Sequence, residues 1–96
     1  MGIAVYVENL LHERIGEIFD DPQGTIARLC DEAPPRSVRG AVSPHGDTMF
    51  NVYQLRLLKE ELAELPEGPA SELVAALAQA AERAIRARGY LYFVGD

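Results

Sequence analysis

The polar side chains best spaced for chemistry lie in one stretch at the middle of the chain, residues 43–51. Within it, His45, Asp47, Thr48 and Asn51 stand among turn-forming residues and directly precede a helical pattern. A histidine can act as a base near neutral pH, and a neighbouring aspartate can orient it or bind a cation. The open first turn of the helix can hold an anion. The stretch therefore predicts a small-ligand or divalent-metal site, or the site of a minor hydrolase.

The same residues also fit a structural role. Aspartate and threonine side chains accept hydrogen bonds from free backbone N–H groups at turns and helix starts. Asn51 and Gln54 have the spacing of a capping box, and Phe50 and Leu55 stand where a hydrophobic staple would bracket it. The favoured interpretation is a turn and a helix cap, with the binding site as the alternative.

A second carboxylate, that of Asp96, follows the aromatic segment 90–94. If that segment ends beside the central turn, Asp47 and Asp96 converge, and paired carboxylates can hold a hard cation or carry out acid–base work. If it does not, Asp96 is a solvated terminus. The ligand-binding or partner-binding residues predicted from the sequence are His45, Asp47, Thr48, Asn51 and Asp96.

Other signatures of catalysis are not found in the sequence. It contains no nucleophile elbow, phosphate-binding loop, zinc-protease motif or dinucleotide fingerprint. The two histidines, His12 and His45, are distant in sequence and Cys30 is the single cysteine. Neither a closed zinc site nor an internal disulfide is therefore expected. We assign no catalytic residue, no metal ligand and no cofactor.

The composition is that of one acidic globular domain spanning residues 1–96. Hydrophobic residues make up 48% of the chain, charged residues make up 25%, and the net charge is −6, which fits an ordinary folded protein. Nucleic acid is a poor partner, because binding its phosphates needs a concentrated basic surface. No segment reaches the roughly 18 apolar residues of a membrane span. No basic leader precedes the first strand pattern, so we expect a cytoplasmic protein.

The first part of the chain has the alternation of a β-hairpin. Residues 3–7 alternate with Ile3, Val5 and Val7 on one side, and residues 14–19 carry Ile15 and Phe19 on one face and Ile18 on the other. The competing interpretation is a helix capped by Asn9. That helix would contain Gly16, at a cost of about 1 kcal/mol relative to alanine, so the hairpin is favoured.

The remaining elements follow from caps, breakers and periodicity. An Asp-Asp-Pro sequence favours a helix start, and Val38, Gly40 and Val42 alternate as in a short strand. Leucines at 3–4 spacing and an Ala-rich run ending at Gly89 predict two further helices. A final segment, apolar on both faces, predicts a central strand covered on both sides. The predicted elements are a helix at 20–32, a strand at 37–42, helices at 52–65 and 70–88, and a strand at 90–94.

The predicted fold class is α+β, with elements in the order β-β-α-β-α-α-β. A mixed or antiparallel sheet of about four strands is covered by three helices. The C-terminal strand is expected to insert among the earlier strands and to be central in the sheet. The single thiol, Cys30, is expected to pack as a small apolar group.

Two blocks of the sequence resemble a known group of proteins. They are residues 46–51, Gly-Asp-Thr-Met-Phe-Asn with the helix opening Val-Tyr-Gln-Leu after it, and residues 90–96, Tyr-Leu-Tyr-Phe-Val-Gly-Asp. Together they resemble small uncharacterised bacterial proteins with a Gly-Asp-Thr-x-Phe-Asn helix start and an aromatic C-terminal strand ending in Ile/Val-Gly-Asp. Here Pro44 and His45 stand where an aromatic residue is expected, and Val94 replaces isoleucine. The group has no established activity, so the resemblance implies a common fold and no mechanism.

These observations favour a non-enzymatic protein-interaction module of the immunity or accessory type. Its partner would be another protein, with neither nucleic acid nor a membrane expected. Leu10 and Leu11, adjacent in a predicted loop, mark an interface if they are exposed. A homodimer formed through these leucines or through an edge strand is also compatible. A docking surface for a basic partner is suggested by a run of acidic residues around the loop between the last two helices: Glu60, Glu61, Glu64, Glu67 and Glu72.

Overall fold

The computed structural model describes residues 2–95 and confirms the predicted α+β order, with four strands and three α-helices. The strands are β1 (Ala4–Glu8), β2 (Arg14–Phe19), β3 (Asp47–Phe50) and β4 (Tyr90–Val94). The helices are α1 (Thr25–Asp31), α2 (Val52–Ala63) and α3 (Ser71–Arg86), with a short 3-10 helix at Arg39–Ala41.

The four strands form one sheet in the order β2-β1-β4-β3, and every neighbouring pair is antiparallel. The C-terminal strand β4 lies between β1 and β3, which confirms its predicted central place. The predicted hairpin is β1 and β2, and a bulge interrupts their register between Val7 and Glu8. Both ends of the described chain are therefore joined in the middle of one sheet.

The third strand was predicted in the wrong place. Residues 37–42 form turns and the 3-10 helix, whereas the strand is β3. The Glu61 carboxylate accepts hydrogen bonds from the backbone N–H groups of Val38 and Arg39, at 2.6 and 3.2 Å. The Ser37 hydroxyl donates to the Pro34 carbonyl at 2.6 Å. These bonds hold a compact turn where alternation alone favoured a strand.

The start of α1 also differs from the prediction. The helix begins at Thr25, after Gly24 in a left-handed conformation with φ of 68°, and not at the Asp-Asp-Pro sequence. The aspartates still satisfy free N–H groups, but from a preceding loop. Asp20 accepts from the N–H groups of Ile26 and Ala27 at 2.7 and 3.1 Å, and Asp21 accepts from that of Thr25 at 2.9 Å.

The residue that terminates α3 in a left-handed conformation differs from the predicted one. The left-handed residue after the helix is Arg88, with φ of 57°, and not Gly89. The N–H groups of Arg88 and Gly89 return to the carbonyls of Ile85 and Ala84, which is a Schellman ending. Glycine is required at position 89 for space: a Cβ there would lie 1.9 Å from the Glu8 carbonyl oxygen.

The hydrophobic core lies between the three helices and one face of the sheet. That face contributes alternate residues of the strands, and α2 and α3 contribute leucines and small alanines that allow close packing. Cys30 of α1 is a buried free thiol within this core, as predicted. The buried set is Ile3, Val5, Val7, Ile26, Cys30, Val42, Phe50, Leu55, Leu58, Leu62, Leu77, Ala80, Ala81, Ala84, Leu91 and Phe93.

Strand β4 is covered on one side only, which corrects the prediction of a doubly covered strand. Leu91 and Phe93 are buried, whereas Tyr90, Tyr92 and Val94 are only half-buried. Tyrosine combines an apolar ring with a polar hydroxyl that favours water, so a strand with tyrosines at alternate positions can face solvent on one side. The second face of the sheet is therefore open.

Candidate functional site

Residues 46–51 and 90–95 are neighbours in the structure. Strand β3 pairs with β4, so that Asp47 lies opposite Val94 and Thr48 lies opposite Phe93. The Gly95 N–H donates to the Gly46 carbonyl at 2.7 Å. A Cβ at Gly95 would lie 2.6 Å from the Pro44 carbonyl, so the loop before β3 packs directly on the chain after β4.

The predicted site residues have distinct positions around this junction. Asp47 is exposed at the start of β3, and its neighbour Thr48 lies on the opposite face of the strand. The Thr48 hydroxyl accepts a hydrogen bond from the Ser43 N–H at 2.9 Å. His45 is exposed in the loop, where its backbone N–H donates to the Ser43 hydroxyl at 3.3 Å. Asp96 lies outside the described residues.

Asn51 forms the predicted helix cap. Its side chain accepts a hydrogen bond from the Gln54 N–H at 3.0 Å, and the Gln54 side chain accepts one from the Asn51 N–H at 2.9 Å. Phe50 and Leu55 are both buried on either side of the cap, as a hydrophobic staple requires. The capping box is confirmed, and it commits the Asn51 side chain to the start of α2.

The side chains on the uncovered face of the sheet form what we call the open face. Its central row runs across the four strands from Glu17 through Tyr6 and Tyr92 to Met49, each opposite the next. Aromatic and carboxylate side chains dominate the face. Its members are Arg14, Glu17 and Phe19 of β2, Ala4, Tyr6 and Glu8 of β1, Tyr90, Tyr92 and Val94 of β4, and Asp47 and Met49 of β3.

Tyr6 lies near the centre of the open face and contacts two side chains of β2. The Arg14 guanidinium carbon lies 3.7 Å from the centroid of the Tyr6 ring, which is a cation–π contact. The Phe19 ring meets Tyr6 edge-to-face, with centroids 6.3 Å apart. Phe19 remains 59% exposed, so this aromatic cluster is accessible from solvent.

Tyr90 is covered by a residue from the hairpin loop. The His12 imidazole stacks on the Tyr90 ring with centroids 4.4 Å apart and planes inclined by 9°. The His12 Nδ1 atom is 3.0 Å from an oxygen of the Glu8 carboxylate, and Glu8 is only 6% exposed. The imidazole therefore closes one end of the open face.

Tyr92 is joined to β3 through its hydroxyl. The hydroxyl donates to the Asp47 carboxylate at 2.6 Å, across the diagonal between the two paired strands. This hydrogen bond, with the nearby negative charge, raises the pKa of Tyr92 above its ordinary value. The bond fixes the Asp47 carboxylate beside the edge of the Tyr92 ring.

The loop that connects β1 and β2 presents two apolar side chains to solvent. Leu10 and Leu11 are 58% and 76% exposed. The Asn9 side chain accepts hydrogen bonds from the N–H groups of Leu11 and Glu13, both at 2.9 Å. The loop is thus hydrogen-bonded in a defined shape with both leucines exposed.

Two concave sites are lined by residues other than the predicted ones. A depression of about 480 Å³ lies between α1 and the loop before α3, lined by Thr25, Arg28, Leu29 and Pro69 among others. A narrower cavity of about 250 Å³ reaches Cys30. Within residues 2–95, no group of three or more His, Cys, Asp or Glu side chains is arranged to hold a metal ion.

The sequence analysis did not predict that the tyrosines form a surface. It placed Tyr6, Tyr90 and Tyr92 in strands, but it did not predict that their side chains share a face that no helix covers. The alternation of tyrosine with Leu91 and Phe93 could have indicated this surface. A tyrosine side chain combines an apolar ring with a polar hydroxyl and therefore suits a partly solvated face of a sheet.

Comparisons with protein-family models, curated proteins and solved structures found no match to this chain. In the part of the chain that the structure describes, no helix has both the length and the apolar character needed to cross a bilayer.

Proposed function

We propose that this chain is a non-enzymatic protein-interaction module that binds a basic surface of another protein through its open face. The observation that carries the proposal is an uncovered sheet face that carries the exposed ring of Phe19, the half-buried rings of three tyrosines, and carboxylates. Aromatic side chains are enriched among the residues that dominate binding energy at protein interfaces. We extend the proposal to the bacterial cytoplasm, where the free thiol of Cys30 would stay reduced.

The charge of the open face supports a basic protein partner. Glu17 and Asp47 are exposed carboxylates on the face, and the Glu8 carboxylate adjoins it. The one cationic side chain on its strands, Arg14, already lies over Tyr6. The chain as a whole has a net charge of −6, which would also accelerate encounter with a positively charged partner.

The same charge argues against nucleic acid as the occupant of the open face. Exposed aromatic rings on a sheet can stack on bases. However, binding a nucleic acid also requires cationic side chains that neutralise its phosphates. The carboxylates of Glu17 and Asp47 would repel that backbone, so a protein with basic side chains fits the surface better.

The alternative from the sequence, a ligand or metal site or a minor hydrolase at residues 45–51, stays a prediction. The side chains of Thr48, Asn51 and Asp47 each take part in a hydrogen bond that stabilises the fold. No observation in the described residues favours this alternative over the interaction surface, and we do not develop it as a second function.

The proposal is tested by comparing variants of the open face with a variant of a helix. Tyr6→Ser with Met49→Ser alters the central row, whereas Tyr53→Ser alters a tyrosine of α2 that is 73% exposed. Each protein is immobilised and exposed to extract of its host, and a captured protein is then purified and its affinity measured for all three chains. We expect the open-face variant to lose at least about tenfold in affinity and the α2 variant to bind like the wild type.

Two results would count against the proposal. One is a captured protein that binds the open-face variant as tightly as the wild type. The other is a captured protein that is acidic on the surface it uses. Thermal unfolding of each variant verifies that loss of binding does not reflect loss of folding.

A further inference from the structure

We propose that the Tyr92 ring and the Asp47 carboxylate together form a receptor for one arginine side chain of the protein partner. This inference rests on the proposed function, because it specifies which group of the partner the open face binds. It is carried by three observations: the pairing of Tyr92 with Asp47, the occupied state of the other two tyrosines, and the charge of the surface.

Two tyrosines of the open face already carry a planar nitrogen-containing group from this chain. The Arg14 guanidinium lies over Tyr6 at 3.7 Å, and the His12 imidazole lies parallel to Tyr90 at 4.4 Å. The His12 imidazole also contacts the Glu8 carboxylate, and Arg14 is the cross-strand neighbour of Glu8. The chain thus places a planar nitrogen-containing group on a tyrosine ring at two positions of the face.

Tyr92 has the ring and the carboxylate without the planar group. Its hydroxyl is bonded to the exposed Asp47 at 2.6 Å, and within residues 2–95 no aromatic or cationic side chain lies on its ring. The Asp47 carboxylate has two oxygens, and each can accept more than one hydrogen bond. A guanidinium placed on the Tyr92 ring would therefore meet a carboxylate that is already positioned to bind it.

The neighbours of Tyr92 favour a cation of this shape. Tyr6 and Met49 lie on either side of Tyr92 in the central row and give it apolar walls. A guanidinium is planar and weakly hydrated, and it can stack on a ring and pair with a carboxylate at once, whereas an ammonium is compact and strongly hydrated. The site should therefore discriminate arginine from lysine.

The test is a titration of the isotopically labelled chain with short peptides, followed by NMR chemical shifts. One peptide of neutral glycine and serine residues carries two arginines, and matched peptides carry lysine or the neutral isostere citrulline instead. We expect the arginine peptide to bind most tightly, with an advantage of at least about threefold over lysine and about tenfold over citrulline. The shifts should centre on Asp47, Met49 and Tyr92.

Two pairs of variants separate the receptor from general electrostatics. Asp47→Asn and Glu32→Gln each remove one negative charge from an exposed position. Tyr92→Leu and Tyr53→Leu each remove one ring. We expect the Asp47 and Tyr92 variants to weaken binding of the arginine peptide by about five- to tenfold and to remove its advantage over lysine. The Glu32 and Tyr53 variants should bind within about twofold of the wild type.

Other outcomes overturn the inference. Equal binding of the arginine and lysine peptides, matched losses in both members of a variant pair, or no binding at millimolar peptide would each exclude an arginine receptor at Tyr92. The proposed function would survive any of these results if the purified partner still bound the open face. It would fail separately if that partner shifted the resonances of α2 and α3 and not those of the open face.

Discussion

At the scale of single residues, two glycines allow close backbone contacts at the two ends of strand β4. Gly89 lies against the end of β1, and Gly95 lies against the loop before β3. At each position a side chain would meet backbone atoms, which cannot move aside as a flexible side chain can. These glycines set how β4 fits between its neighbours and hence how the tyrosines of the open face are arranged.

Replacing Gly89 by alanine is expected to destabilise the protein strongly. The added Cβ would lie 1.9 Å from the Glu8 carbonyl oxygen and 2.7 Å from backbone atoms of Asn9, so the end of β1 must shift. We predict a loss of about 3 kcal/mol in the free energy of unfolding, measured by urea denaturation. Gly68→Ala is the matched control, because a Cβ at that position would have no neighbouring atom within 4 Å, and it should be neutral or slightly stabilising. Equal effects of the two substitutions would contradict this account.

The buried thiol of Cys30 is expected to make the free energy of unfolding depend on pH in the alkaline range. Burial raises the pKa of its thiol from an ordinary value of 9.0 to about 11. Between these two values the folded state holds a proton that the unfolded state has released, so the free energy of unfolding falls as pH rises from about 9 to about 11. The loss attributable to Cys30 is about 2–3 kcal/mol.

The measurement is urea denaturation at pH 8 and pH 11 for the wild type and for Cys30→Ala. All other ionisable groups are common to the two proteins. The packing lost in the alanine variant does not depend on pH. We therefore expect the wild type to lose more stability than the variant between the two pH values. Parallel losses would show that the thiol is not protected by burial.

At the scale of elements, the strongest local signals in the sequence proved reliable. The hairpin, α2, α3 and β4 each combine an apolar period with a recognisable start or end, and each lies where it was predicted within a few residues. For α2 the confirmation extends to atoms, since Asn51 and Gln54 exchange the two hydrogen bonds of a capping box.

The stability of α2 should depend measurably on that cap. Replacing Asn51 by alanine leaves the Gln54 N–H without its side-chain acceptor, and we predict a loss of about 1 kcal/mol in the free energy of unfolding. Asn51→Ser keeps an oxygen acceptor at the same position and should stay within a few tenths of a kcal/mol of the wild type. Thermal or urea denaturation of both variants distinguishes the cap from a general effect of truncation, which would make the two substitutions equivalent.

The elements that were misplaced depend on partners distant in sequence. Val38 and Arg39 are held in a turn by Glu61 of α2, which no local pattern could indicate. The strand β3 has four residues and begins with aspartate, a residue that local propensity assigns to turns. Asp47 lies in the sheet because pairing with β4 supplies its backbone hydrogen bonds. That pairing joins strands that are distant in sequence, so local propensity does not indicate it.

At the scale of the whole molecule, all three helices pack against one face of the sheet and leave the other to solvent. The sequence could indicate which residues alternate along β4, but not whether a helix would cover Tyr90 and Tyr92. The site predicted from the sequence therefore contained Asp47 but none of the tyrosines. The tyrosines join it because the structure shows that the helices cover the other face of the sheet. Strands β3 and β4, which carry Asp47 and Tyr92, pair at one edge of this open face.

The central claim, that the open face binds the partner, is tested most directly through the tyrosines themselves. The chain has four tyrosines, and Tyr6, Tyr90 and Tyr92 lie on the open face while Tyr53 lies on α2. Incorporation of 3-fluorotyrosine gives one fluorine NMR signal for each. We predict that the purified partner shifts the three open-face signals and leaves that of Tyr53 in place. A partner that shifts Tyr53 while the other three signals remain unchanged would contradict the claim.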